Sequence, residues 1–76
     1  MSEVELIDIF AGNLKSALDD ARMTQAELAK ETGLSESTIS RYLAAERLPN
    51  LRAIVNICNV LDCDFEELIP TYELID

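Results

Sequence analysis

Residues 24–49 of the chain, TQAELAKETGLSESTISRYLAAERLP, contain the signals for two short helices joined by a tight turn. Thr24 is a good N-cap residue, and Glu27 follows three residues later, at the spacing of a capping box. Gly33 is expected to end the first helix, because a left-handed backbone conformation costs little in a residue without a Cβ atom. Ser35 is then placed to cap the second helix.

The second helix of this stretch has an apolar side and a polar side. Ile39, Tyr42 and Leu43 recur at the i, i+3, i+4 spacing of a core-facing helix, and we expect Ile39 and Tyr42 to be buried. The polar side consists of Glu36, Ser37, Ser40 and Arg41. Two short helices joined by a glycine-containing turn are typical of a helix-turn-helix, whose second helix enters the major groove of DNA.

The whole chain predicts an all-α fold of five helices. Their expected bounds are close to residues 2–23, 24–32, 36–46, 50–62 and 64–69. In the first helix the predicted core stripe is Ile7, Phe10, Ala11, Leu14, Ala17, Leu18 and Ala21. In the fourth helix it is Leu51, Ile54, Ile57, Cys58 and Leu61. Gly12 weakens the first helix, and close packing is its expected reason.

Size and composition indicate one small domain over residues 1–76. The chain is 49% apolar, enough for a compact helical core. The predicted core spans residues 10–69 and leaves a short apolar tail at 70–76. There is no apolar run long enough to cross a membrane and no signal-peptide pattern at the N-terminus. We therefore expect a cytoplasmic protein.

The net charge of −9 is distributed unevenly. All six basic residues lie between positions 15 and 52, where six acidic residues balance them, and the other nine acidic residues lie towards the two ends. The negative charge is therefore expected to lie away from a DNA-binding face. Few cations imply few phosphate contacts and a shallow dependence of binding on salt.

Signals for catalysis, metals and cofactors are missing from the sequence. There is no histidine, no Gly-rich phosphate loop, and no serine or cysteine with a base beside it, so an enzyme is not expected. Cys58 and Cys63 do not have the spacing of a common zinc site and are interpreted as reduced, small apolar residues. Residues 62–64, Asp-Cys-Asp, are better explained by a helix-capping turn than by a calcium loop.

In order, these elements make the chain similar to the Cro/phage-repressor-type helix-turn-helix family, which includes the xenobiotic-response-element-like transcriptional regulators. The features that carry the resemblance are Thr24-Gln25, Leu28-Ala29, Gly33, and the pattern Ser-x-x-x-Ile-Ser over residues 35–40, followed by Arg-x-Pro at 47–49. The resemblance covers residues 10–69. It implies a lambda-repressor-like fold and a regulator, of the phage or mobile-element kind, that represses transcription by binding double-stranded DNA.

The resemblance also implies roles for individual residues. The positions that match base-contacting residues of the family are Glu36, Ser37 and Arg41. The expected DNA-backbone contacts are Gln25, Ser35, Thr38, Ser40, Arg47 and Arg52. Arginine pairs well with guanine, a carboxylate accepts from the cytosine amino group, and short hydroxyls suit phosphate. Ala45 stands where the family often has glycine.

A homodimer is expected, because one module of this size makes few contacts with an operator. Its predicted interface combines an uncharged face of the fourth helix with the apolar tail. The residues are Val55, Asn56, Asn59, Val60, Tyr72, Leu74 and Ile75. The tail can instead fold back over that helix and leave a monomer. A second hypothesis for function is a protein-interaction module, antirepressor-like or complex-forming, that keeps the fold without DNA affinity.

Overall fold

The computed structural model describes residues 3–70, and this part of the chain folds into five α-helices without a strand. The helices are α1 (Glu3–Ala21), α2 (Gln25–Thr32), α3 (Glu36–Leu43), α4 (Leu51–Leu61) and α5 (Phe65–Leu68). The predicted all-α, five-helix fold is therefore confirmed. The expected start of α1 at Ser2 and the tail at 71–76 lie outside the described residues.

One hydrophobic core holds the five helices together. The side chains that are fully inaccessible to solvent are Phe10, Leu14, Leu28, Ile39, Ile57 and Leu68. Each such burial stabilises the fold by about 1.5–3 kcal/mol relative to an exposed side chain. The rings of Phe10 and Tyr42 meet edge-to-face at a centroid distance of 5.9 Å, so α1 packs directly against α3.

Two side-chain hydrogen bonds connect helices that are distant in sequence. The Asn13 Nδ2 group donates to the Leu68 carbonyl at 3.1 Å and fastens α5 to α1. The Asn56 Nδ2 group donates to the Thr32 carbonyl at 2.7 Å and fastens α4 to the last residue of α2. The second bond fixes the helix pair α2–α3 against the rest of the bundle.

Residues in the left-handed conformation end four of the helices. Gly33 has φ 77° and ends α2 as predicted, while Arg22 (φ 54°), Ala45 (φ 57°) and Asp62 (φ 52°) follow α1, α3 and α4. Beyond α3, the Glu46 N–H bonds the Arg41 carbonyl at 2.9 Å, which is the closing bond of a Schellman motif. This closure is why α3 ends at Leu43, three residues before the predicted end at 46.

The burial pattern corrects three predictions. Leu51 is 67% exposed, because it lies on the same face of α4 as the exposed Val55, while Ala53 and Ile54 in the same turn are buried. Ala21 is exposed at the last residue of α1. Gly12 is exposed too, and a Cβ atom there would meet nothing within 4 Å, so close packing is the wrong explanation for it. None of the helices in residues 3–70 is long and apolar enough to cross a membrane.

Candidate nucleic-acid interface

The helix pair α2–α3 is held rigidly by its caps and its turn. Thr24 and Glu27 form the predicted capping box, with both hydrogen bonds at 3.1 Å. At the other end of α2, the buried Thr32 hydroxyl donates to the Leu28 carbonyl at 2.7 Å and accepts from the Leu34 N–H at 3.3 Å. The turn between the helices is therefore closed by hydrogen bonds on both sides of Gly33.

The exposed side of α3 carries the residues predicted to contact bases. Glu36, Ser37 and Arg41 are exposed, as is Ser40, while Ile39 is buried on the other side of the helix. At 3.6 residues per turn, positions 36, 37, 40 and 41 form one continuous face. Arg41 forms no ion pair with any described residue, so its guanidinium is available to a ligand.

The hydroxyls of Ser35 and Thr38 bond to each other at the start of α3. Ser35 Oγ accepts the Thr38 N–H at 3.0 Å, which confirms the predicted N-cap, and donates its proton to Thr38 Oγ1 at 2.8 Å. The backbone N–H groups of Glu36 and Ser37 precede this bond in the first turn of α3, where backbone donors lack intrahelical partners. A phosphate here has these N–H groups available as donors.

A depression of about 240 Å³, here called the α3–α4 groove, brings three of the predicted backbone contacts together. Its lining residues are Leu34, Thr38, Tyr42, Arg47, Asn50, Arg52, Ala53 and Asn56. Arg47 and Arg52 are exposed on its rim and lie beside the N-terminus of α4, which Asn50 caps by accepting the Ala53 N–H at 2.8 Å. Two cations and a helix N-terminus make this groove suited to a phosphate.

Gln25 lies elsewhere, in a second depression of about 370 Å³. This α1–α3 groove is lined by Lys15, Leu18, Asp19, Met23, Gln25 and Leu43. Gln25 is the first residue of α2, and Leu43 is the last residue of α3. Four of the six predicted backbone contacts therefore line one of two grooves that border α3, while Ser35 and Ser40 are exposed outside both grooves.

The residues predicted to form a dimer interface on α4 do not share one environment. Val55 (46% exposed) and Asn59 are exposed, and Leu51 precedes them on the same face at i−4. Val60 is partly buried against the core, and the Asn56 amide is bonded to Thr32. Tyr72, Leu74 and Ile75 lie outside the described residues.

Sequence reasoning missed two features of this region. The bond from Asn56 to Thr32 joins residues 24 positions apart, and no local pattern indicates it. Lys15 was not considered as a DNA contact, although it lines the same groove as Gln25. One indication of this role was present in the sequence, since Lys15 is one of the six basic residues that lie between positions 15 and 52.

The two thiols lie at the far end of α4 and are protonated at neutral pH. Burial is the main cause that raises the pKa of Cys63 to about 12, with a further contribution from Cys58. Burial also raises the pKa of Cys58 above its usual value of 9.0. Both are free cysteines, and the described residues contain no cluster of side chains suited to a metal ion.

Comparison with known proteins supports the interpretation of α2–α3. An HTH-type transcriptional regulator of Bacillus subtilis (strain 168), YqaE, which is itself uncharacterised, is 28% identical over 61 residues. The match covers 80% of this chain and 53% of that protein, so the chain spans about half the length of this relative. The solution structure of an SOS-response transcriptional repressor, LexA from Eubacterium rectale, is similar with a TM-score of 0.81 and 25% identity. That similarity covers 91% of this chain and 73% of the LexA chain.

A family model also matches most of the chain. A family model described as the Cro/C1-type HTH DNA-binding domain matches residues 13–73, which include all of α2, α3, α4 and α5. This family consists of DNA-binding regulators and not of enzymes. The chain therefore belongs to the Cro/C1-type helix-turn-helix DNA-binding domain family.

Proposed function

We propose that the chain is a sequence-specific DNA-binding transcriptional regulator that acts as a repressor and reads the major groove with α3. The observation that carries the proposal is the continuous polar face of α3, which is exposed between two grooves that contain cations. A helix of this kind fits the major groove, which is about 12 Å wide.

Base reading is assigned to the exposed face of α3. Arg41 donates two parallel hydrogen bonds to the O6 and N7 atoms of a guanine. Glu36 accepts from the amino group of a cytosine, and Ser37 contacts a neighbouring base edge. Arg41 provides the strongest of these contacts, because it is the one cation on this face.

Backbone binding is assigned to the edges of α3. Arg47 and Arg52 bind a phosphate at the α3–α4 groove, close to Thr38. Ser35 and Ser40 contribute hydroxyls, and Gln25 binds a phosphate from the N-terminus of α2. Such contacts fix the position of α3 on the duplex and do not distinguish sequences.

The active form is proposed to be a homodimer. Leu51, Val55 and Asn59 are spaced four residues apart on one side of α4 and supply an exposed, uncharged surface for a second copy. Tyr72, Leu74 and Ile75 remain part of the proposed interface. Two-fold symmetry then spaces two copies of α3 by one turn of DNA, about 34 Å.

Val55→Asp tests this assembly, because a carboxylate within an apolar interface is costly to desolvate. Sedimentation across a concentration series is expected to show a dimer for the wild-type chain and a monomer for the variant. A wild-type chain that stays monomeric at high micromolar concentration, with or without residues 71–76, contradicts the proposed dimer.

The proposed setting is the cytoplasm, and the proposed origin is a phage or another mobile element. Support for this setting comes from membership of the Cro/C1-type HTH DNA-binding domain family and from two cysteines that are both free.

The net charge of −9 favours a second candidate, an interaction module without DNA affinity. Binding to a labelled random-sequence duplex at rising KCl concentration separates the two. The regulator is expected to bind at low salt, and the logarithm of its binding constant is expected to fall linearly with the logarithm of the KCl concentration. An interaction module shows no binding at any salt concentration.

Arg47→Ala and Arg41→Ala provide a matched pair for the proposed roles. Arg47→Ala is expected to weaken binding to all duplexes equally, whatever their sequence. Arg41→Ala is expected to reduce the free energy of binding to the selected duplex by about 1–3 kcal/mol and to relax the preference at one base pair. Equal losses on selected and random duplexes for Arg41→Ala contradict its base-reading role.

A further inference from the structure

The end of α4 brings together two cysteines that are five positions apart in sequence. Asp62 follows α4 in the left-handed conformation, with φ 52°, and the Cys63 N–H then bonds the Cys58 carbonyl at 3.1 Å. This is the closing bond of a Schellman motif, in which the residue after the left-handed one commonly contacts the last turn of the helix. Here that residue has a thiol, and it packs against the core cluster that contains Cys58.

The backbone geometry permits a disulfide between these two residues. Their N–H···O bond of 3.1 Å, together with standard bond lengths, keeps the two Cα atoms within about 7 Å of each other. Cysteines with Cα atoms further apart than about 7 Å cannot be bridged without backbone movement. Burial has the largest effect on the pKa of each thiol, and a hydrogen bond between the thiols lowers the pKa of Cys58 and raises that of Cys63. The two sulfur atoms are therefore neighbours as well.

The two thiols differ in their access to solvent. Cys63 is half-buried, whereas Cys58 is 8% exposed. A reagent in solution therefore meets Cys63 first, and Cys58 reacts as the second sulfur. The carboxylates of Glu67 and Asp64 add to the effect of burial and raise the pKa of both thiols further. Few thiols are ionised at neutral pH, so thiol–disulfide exchange is slow, but its equilibrium position depends on how well the fold holds the two sulfur atoms together.

We propose that Cys58 and Cys63 are a dithiol site for a low-molecular-weight disulfide such as oxidised glutathione, which closes them into an internal disulfide while the domain stays folded. The Cys63 thiolate attacks one sulfur of the glutathione disulfide, which forms a mixed disulfide and releases one glutathione thiolate. The Cys58 thiolate then attacks the Cys63 sulfur and releases the second glutathione. The two protein thiols lose two electrons to the glutathione disulfide, and their two protons pass to the two released glutathione molecules.

The internal disulfide joins the last turn of α4 to the residue before Asp64, the N-cap of α5. It is a reversible cross-link that stabilises the fold when the supply of disulfides rises. In a reducing compartment such bonds are typically transient and redox-sensing. The pair lies at the C-terminal end of α4, whereas Arg52 of the α3–α4 groove lies at its N-terminal end. The inference therefore goes beyond the proposed DNA binding and does not depend on it.

The test measures the equilibrium between the dithiol and the disulfide in mixtures of reduced and oxidised glutathione, for the folded chain and for the chain in concentrated urea. Acid quenching and mass spectrometry quantify separately the internal disulfide, the glutathione adducts and any disulfide-linked dimer. Equilibrium is approached from both the reduced and the oxidised chain, because exchange is slow in the folded state. Cys58→Ala and Cys63→Ala are matched controls that each keep one thiol.

Folding is expected to raise the equilibrium constant for the internal disulfide at least about tenfold over its value in urea, because the native backbone already holds the two thiols together. The disulfide then stabilises the folded chain by the same factor, so the Tm of the oxidised chain is expected to lie at least about 5 °C above that of the reduced chain. Cys58→Ala is expected to stop at the mixed disulfide of Cys63 with glutathione. Cys63→Ala is expected to form less adduct, because Cys58 is buried.

An equilibrium constant in the folded chain that is equal to or below the value in urea overturns the inference, because the fold then does not favour closure. A folded wild-type chain that accumulates a glutathione adduct at Cys63, a disulfide-linked dimer or no oxidised product also overturns it. Each of these results leaves the proposed DNA binding intact, since that function is tested by duplex binding of the reduced chain.

Discussion

Replacing Asn56 by alanine is expected to destabilise the domain, because it removes the bond that fastens the helix-turn-helix to α4. The Asn56 amide lies 2.7 Å from the carbonyl oxygen of Thr32. Thr32 is buried and is the last residue of α2, so its carbonyl lacks an intrahelical partner. Leaving a buried acceptor without its donor costs about 1–3 kcal/mol.

Asn59→Ala is the matched control for this prediction. Asn59 lies on the same helix, is exposed and forms no hydrogen bond with a described residue. Both substitutions gain the same helix propensity, so the difference between them isolates the bond to Thr32. Surface changes of this kind usually alter stability by less than about 0.5 kcal/mol.

Thermal and urea unfolding, followed by circular dichroism, measure the difference. Each kcal/mol lowers Tm by about 4–8 °C in a domain of this size. Asn56→Ala is therefore expected to melt at least about 4 °C below Asn59→Ala. The scans are run at several protein concentrations, since Asn59 belongs to the proposed dimer surface. Equal melting temperatures for the two variants refute the role given to Asn56.

The remaining predictions concern backbone conformation and thiol ionisation. Gly12→Ala is expected to stabilise the chain by about 0.5–1 kcal/mol in urea titrations, because the site is helical, exposed and open. Gly33→Ala is expected to destabilise it by about 1–2 kcal/mol, because Gly33 has φ 77°. Ala45→Gly is expected to raise the unfolding free energy by up to about 1 kcal/mol, since Ala45 has φ 57°. Cys63 is expected to react with iodoacetamide at pH 8 about a thousandfold more slowly in the folded chain than in urea, because its pKa is raised from 9.0 to about 12. The same shift means that the unfolded thiol ionises first, so stability falls as pH rises above 9.0, and Cys63→Ala is expected to lessen that fall.

The parts of the fold that were predicted correctly have local signals. The capping box of Thr24 and Glu27, the left-handed Gly33 and the N-cap Ser35 each involve residues within a few positions of one another. Such signals act before tertiary packing, and the sequence alone was sufficient to predict them. The same holds for the polar face of α3, since helical periodicity fixes which residues are opposite Ile39.

The parts that were missed depend on tertiary context. Ala45 and Arg22 adopt left-handed conformations that their residue types do not favour, and the helix ends at these points were predicted too late. Leu51 has the periodicity of a core residue, but packing places it on the exposed face of α4 with Val55, and Ala53 takes the core position in that turn. The partner of Asn56 and the position of Lys15 beside Gln25 arise from packing between helices.

The central claim, that α3 reads bases in the major groove, is tested most directly by methylation interference on a duplex selected from a random pool. Dimethyl sulfate methylates the N7 atom of guanine in the major groove and the N3 atom of adenine in the minor groove. The account predicts that N7 methylation of particular guanines blocks binding, and that Arg41→Ala abolishes this interference at one guanine of each half-site. Interference that is confined to minor-groove adenines, or that is identical for the wild-type chain and Arg41→Ala, contradicts it.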